Sequence, residues 1–143
     1  MKDAGGPDGM PVDVSTFPEL GLRWVRASGT VSAADLSAAS LSAFPPDGAG
    51  AQPLGFVDLR DATGFDLGFA DVMQTRNRAQ GATERHGLHV RVAIHAGSEV
   101  GFGLGRMYEQ LLATVGIEAM VTYDRDEALR WLNLSRVPPA LRG

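Results

Sequence analysis

Apolar and polar residues recur along this chain with two different periods, and the changes of period mark its elements. In LRWVRA (22–27), Leu22 and Trp24 alternate with Arg23 and Val25, which predicts a strand. Ser28-Gly29 followed by a short Thr30-Val31 strand suggests a hairpin. Ser32 then opens a helix. Its hydroxyl is placed to cap the amide of Asp35, Val31 and Leu36 sit at staple positions, and Leu36, Ala39, Ala43 and Phe44 form the apolar stripe before Pro45. GFVDLR (55–60) reads as a second strand. Asp66 is a candidate cap for a helix over about 67–85, with Phe69, Val72, Met73 and Ala79 inward and Gly87 as a left-handed stop. LHVRVAIH (88–95) alternates again. A helix ending at Gly116 carries Leu104, Met107, Leu111 and Val115 on one face. IEAMVTY (117–123) is a strand, and Asp124 to Asn133 a last short helix, capped by Asp124 with Glu127 at the box position and anchored by Leu129 and Leu132.

Strands separated by helices imply parallel pairing through right-handed crossovers. The expected architecture is an α/β fold: a two-layer mixed, mostly parallel sheet of about five strands with about four helices, largely on one face. Fully covered parallel strands read as continuous apolar runs. Here Arg23, His89, Arg91, Glu118 and Thr122 recur at alternate positions, so one sheet face is expected to be wet or to meet a partner. Gly and Pro dominate the start, and SRVPPALRG closes the chain. The expected organisation is a disordered tail over 1–18, one domain over 19–134 and a flexible tail over 135–143.

The 143 residues, 44% of them hydrophobic, suit one globular core. A net charge of -4 gives no basic face for nucleic acid. The absence of Cys removes disulfides, thiolate metal sites and thiol nucleophiles. The opening MKDAGGPDGMPVDVS does not resemble a secretory signal, and no apolar run is long enough to span a membrane, so a cytoplasmic location is expected.

EVGFGLGRMYEQLLATVG (99–116) sets glycines at 101, 103 and 105 before an amphipathic stretch. A dinucleotide turn needs G-x-G-x-x-G, yet the third place holds Arg106 in one register and Tyr108 in the other. A phosphate loop needs a following Lys, and the sole Lys is Lys2. Two readings remain: a sharp turn, or a weak anion site formed by helix amides with Arg106. Arg106 in a first helical turn opposes the macrodipole, so either Asp61 and Asp66 neutralise it or it meets a ligand.

His89 and His95 share a strand face but lie about 20 Å apart, too far to hold one ion, so no metal is expected. Ser28, Ser32, Ser37, Ser40 and Ser42 sit in no nucleophile elbow. Asp58 is the notable carboxylate. On the wet face, Arg23 or Arg91 would neutralise it across strands; pointing inward, it becomes a site candidate.

GFVDLRDATGFD (55–66), FGLGRMYEQL (102–111) and YDRDEALRWL (123–132) together resemble the STAS-like superfamily, the fold of anti-sigma-factor antagonists, and in particular bacterial STAS or lipid-carrier-like domains. The resemblance spans about 20–134. In signalling relatives a phosphorylated Ser or Thr follows an Asp at the helix start; here Asp66 is followed by Leu67, and Thr63 lies three residues earlier. The implied function is a non-enzymatic interaction domain without that switch and without a cofactor. It would use the helix beginning near Asp66, or the wet sheet face, on a protein partner or a second copy as a dimer. The alternative is a small anionic ligand, such as a nucleotide, metabolite or lipid headgroup, at the carboxyl ends of the parallel strands. Asp61, Asp66, Gly103, Gly105 and Arg106 are the residues expected there.

Overall fold

The computed structural model describes residues 12–142. Its five strands are β1 (Val12–Phe17), β2 (Leu22–Ser32), β3 (Leu54–Asp66), β4 (Arg91–Ala96) and β5 (Glu118–Thr122). The helices are α1 (Ala33–Ala43), α2 (Phe69–His86), α3 (Glu99–Ala113), α4 (Arg125–Leu132) and the short α5 (Pro139–Arg142). The strands lie in sequence order, β1 antiparallel to β2 and every later pair parallel. This is the mixed, mostly parallel α/β sheet expected from the alternating periods.

Local chemistry fixes most boundaries. Ser32 caps α1, accepting from the Asp35 amide at 3.2 Å while the Asp35 carboxylate accepts from the Ser32 amide at 2.8 Å. Gly87, at φ +64°, ends α2 as expected. Asp66 does not cap that helix. Gly68 is the cap residue, and its amide donates to Asp71 at 2.8 Å. Ser28-Gly29 makes no hairpin: β2 runs on to Ser32, with register shifts between Arg26 and Ser28 and between Gly29 and Thr30 that absorb the glycine at φ +66°.

Two composition-based expectations are corrected. Of the supposed tail 1–18, residues 1–11 lie outside the described residues, but 12–17 pair with β2 along their whole length. A 3-10 turn at Pro18–Leu20, with Gly21 at φ +64°, reverses the chain between them. At the other end, within 135–143, Leu141 is fully buried. Its side chain closes a cluster with Leu22, Trp24, Phe56, Ala93, Ala128, Leu129 and Leu132.

That cluster also answers the question of a bare sheet face. The three long helices do pack on one side, where Val92 and Ile94 meet Ala79, Ala82 and Leu112. The opposite side is not open, because α4 and α5 cover it. Exposed charge remains at its amino-terminal rim, where Arg91 pairs across strands to Glu118 at 3.1 Å and lies over Trp131, and over β1 and β2, where Arg26 lies over Trp24 and pairs with Asp13 at 2.8 Å. Arg23 belongs to the other face altogether: it donates to the Ala39 carbonyl of α1 at 3.2 Å.

β3 outruns β4. Their pairing stops at Leu59↔Ala96, while β3 continues beside β2 to Asp66. The chain leaving β4 presses on this extension: a Cβ at Gly97 would come 2.3 Å from the Arg60 carbonyl, and one at Gly101 would touch the Phe65 ring at 3.5 Å.

Candidate functional site at the carboxyl edge

The glycine-rich segment is helix, not turn. Ser98 caps α3 and accepts from the Gly101 amide at 3.1 Å, so all three glycines lie inside the first two turns. Gly101 and Gly105, one helical turn apart, face inward. A Cβ at Gly105 would sit 2.7 Å from Val121 Cγ2, so this glycine sets how closely α3 approaches β5. Gly103 faces open space. The spacing reflects packing of a helix on a sheet.

The five residues expected to converge do not form one cluster. Asp61 is exposed on β3, 3.9 Å from its neighbour Arg60, and Asp66 is exposed at the end of the strand. Arg106 lies about 10 Å along α3 from its start. It is exposed and pairs with Glu109 at 3.2 Å, so the expected ion pair with Asp61 or Asp66 is absent.

What the edge does present is apolar. Among the described residues, five large hydrophobics are exposed, and three of them follow the carboxyl ends of successive strands. Phe69 opens α2 after β3, Val100 lies in the first turn of α3 after β4, and Tyr123 follows β5; they are 59%, 62% and 54% exposed. Tyr123 stacks on Phe102 with centroids 4.7 Å apart. Asp61, Asp66, Glu99, Asp124 and Asp126 are exposed around them.

Beneath this edge lies a network that the sequence reading did not assemble. Asp58 is 2% exposed, facing α4, and neither Arg23 nor Arg91 is its partner. Arg125 Nη1 donates to Asp58 Oδ2 at 2.8 Å, and the Arg60 amide donates to Oδ1 at 3.2 Å. His95 Nδ1 stands 3.6 Å from the same carboxylate and 3.3 Å from Arg125 Nη1, while Nε2 meets the Tyr123 carbonyl at 3.2 Å. A proton on Nε2 suits that carbonyl and leaves Nδ1 to accept from Arg125. Arg125 also donates through Nε to the Leu141 carbonyl and stacks over Phe56. The three side chains are 3%, 7% and 10% exposed, so no face is open to a substrate. Their work is to lock β3, β4, α4 and α5 together and to hold the Tyr123 backbone, and with it the stacked ring outside. A signal for Arg125 existed: it is a cation at the first position of α4, opposing the macrodipole just as Arg106 was argued to do.

The histidines are dispersed. His86 bonds the Pro46 carbonyl at 2.9 Å and His89 is exposed. No grouping of three metal-ligating side chains occurs among the described residues, and no described helix is long and apolar enough to cross a membrane.

No family model and no curated protein matches the chain. A solved structure is similar to it: an uncharacterised protein of the DUF3478 family from Shewanella loihica PV-4, with a SpoIIAA-like fold. The two are 18% identical, with a TM-score of 0.48, over 85% of this chain and 91% of the other. Function does not pass across such a distance.

Proposed function

We propose that the chain is a STAS-like, non-enzymatic interaction domain that docks a protein partner on the carboxyl edge of its sheet. The observation that carries this reading is that Phe69, Val100 and Tyr123, three of the large exposed hydrophobics among the described residues, each follow the end of a strand, with exposed Asp66, Glu99 and Asp124 close to them in the chain. Large apolar side chains held out in water among polar ones are the material from which docking sites are built. The matching surface presents apolar side chains flanked by basic ones. Leu67 after Asp66 removes the phosphoacceptor of signalling relatives, so docking here is constitutive rather than switched at that position. The anion reading at the same edge loses support, because Arg106 is engaged elsewhere and Ser98 already accepts from the α3 amide at Gly101.

The test is affinity capture with the whole chain and with a Phe69→Ser/Tyr123→Ser variant, followed by light scattering on the recovered complex. The wild type should retain a partner or a second copy, and the variant should bind it at least about tenfold more weakly, as for central aromatic anchors. Circular dichroism should be unchanged, since both side chains are exposed. A strict monomer that retains nothing, or a variant that binds as well as the wild type, refutes the reading.

A further inference from the structure

On the far side of the sheet from Asp58, between the strands and helices α1, α2 and α3, lies a half-open cavity of about 120 Å³. Val25, Val57, Ile94, Val72 and Leu104 supply aliphatic walls. Arg23 supplies a guanidinium that is only 8% exposed. Beside Arg23 in the register stands Gly55, which leaves the neighbouring position on β3 without a side chain. One end of the guanidinium is engaged: Nη2 donates to the Ala39 carbonyl. The buried Nε–H has no hydrogen-bond partner. Among the described residues no carboxylate forms an ion pair with Arg23. Asp35, which also lines the cavity, spends its carboxylate on the α1 cap.

A buried cation without a counter-charge, with an unused donor, is costly, and proteins seldom leave one so. Water is a poor remedy here, since an ordered water needs two to four polar partners and these walls are largely aliphatic. Ser40 and Thr75 also line the cavity, but Ser40 accepts from Arg78 and Thr75 donates to the Asp71 carbonyl, which leaves Tyr108 as the polar side chain acting on Arg23. Its surroundings are dry enough that burial pushes its hydroxyl up to about 12, against the pull of Arg23, so it stays a neutral donor at ordinary pH.

We propose that this cavity binds a small apolar monocarboxylate, with the carboxylate on Arg23 and Tyr108 and the hydrocarbon among Val25, Val57, Ile94 and Leu104. The size sets the class. A dry cavity of about 150 Å³ accommodates benzene, so this smaller, half-open one holds the carboxylate and first carbons of an acid of roughly four to six carbons with the chain end at its mouth, and gives the rest of a long acyl chain no cover. The single cation selects a monoanion over a phosphate dianion, which would bring more charge than the site balances. This site is separate from the carboxyl-edge reading, and Phe69 and Tyr123 variants leave it unchanged.

The experiment titrates the whole purified chain with acetate, butanoate, hexanoate, decanoate and hexanol at matched ionic strength, followed by calorimetry and amide NMR. Butanoate and hexanoate should bind at least about tenfold more tightly than acetate, decanoate should gain nothing over hexanoate, and hexanoate should bind about tenfold or more over hexanol, the margin expected of a charge-assisted hydrogen bond. The shifts should map to Val57 and Ile94. Arg23→Met should erase the preference for the acid over the alcohol. If that variant fails to fold, Leu104→Phe, which fills the cavity and keeps Arg23, should weaken hexanoate while circular dichroism stays native. Equal affinity for hexanol and hexanoate, binding that ignores both variants, or no binding at millimolar acid overturns the proposal and leaves Arg23 as a clamp on α1 only.

Discussion

At Asp58 the sequence posed a question whose answer lies 67 residues away. A carboxylate centred in FVDLR needs a partner, and alternation within the strands offered Arg23 and Arg91, because those are the cations a sheet pattern brings near. The actual partner arrives from α4, 2.8 Å away, through a tertiary contact that no local period encodes. Both side chains are almost wholly buried, so removing one strands the other. Asp58→Asn should lower the unfolding free energy by about 3–5 kcal/mol in urea titration, whereas Asp58→Leu with Arg125→Met should lose far less. Tyr108 makes a pH prediction of definite sign. Its folded pKa is raised from 10.0 to about 12, chiefly by burial. The unfolded chain therefore ionises first, and the stability this residue contributes is intact below 10 and drains away as pH rises toward 12. In a Tyr123→Phe variant, tyrosinate absorbance should titrate in a single step near 12. A midpoint at the ordinary tyrosine value would place the hydroxyl in water.

At the scale of the element, most capping chemistry was readable, Asp66 excepted, and glycine chemistry was ambiguous. Ser32 and Asp35, Gly87 and Asp124 have short-range partners a few residues away, so their roles follow from sequence spacing. Glycine has no side chain to declare itself, and the same G-x-G-x-G string serves a loop or a helix that must lie close to a sheet. Which one applies is decided by Val121 and Phe65, distant in sequence from it. The two uses predict opposite signs. Gly105→Ala should destabilise by about 1–3 kcal/mol, because its Cβ overlaps Val121 and the overpacking outweighs any gain in helix propensity. Gly103→Ala, exposed on the same helix, should stabilise by roughly 0.5–1 kcal/mol. Paired urea midpoints separate these; two stabilised variants would show that α3 can shift at no cost. The expectation of a hairpin at Ser28-Gly29 failed for a related reason, since the glycine serves a bulge within one continuous strand.

For the molecule as a whole, the alternation of strands and helices from β2 onward, the parallel connections and the placement of three long helices on one face were legible from period, whereas β1, whose composition suggested a tail, was not. The covering of the other face was not. Charged residues at alternate strand positions implied water, but Trp131 packs one side of Arg91, and a four-residue helix that starts on the second residue of a Pro-Pro pair brings Leu141 over the sheet. Composition cannot distinguish such a closing segment from a loose tail. Leu141→Ala should therefore cost about 2–5 kcal/mol in a denaturation series, as for a buried aliphatic residue, where a dispensable tail would show no change.

The overhang of β3 past β4 has a consequence of its own. Residues 60–66 have β2 on one side only, and an unpaired strand edge is a template on which another chain can add. The segment leading into α3 lies along that edge because Gly97 brings no side chain against the Arg60 carbonyl. Protection against fibrillar self-assembly is thus vested in one hydrogen atom, at Gly97, where other residues carry a Cβ.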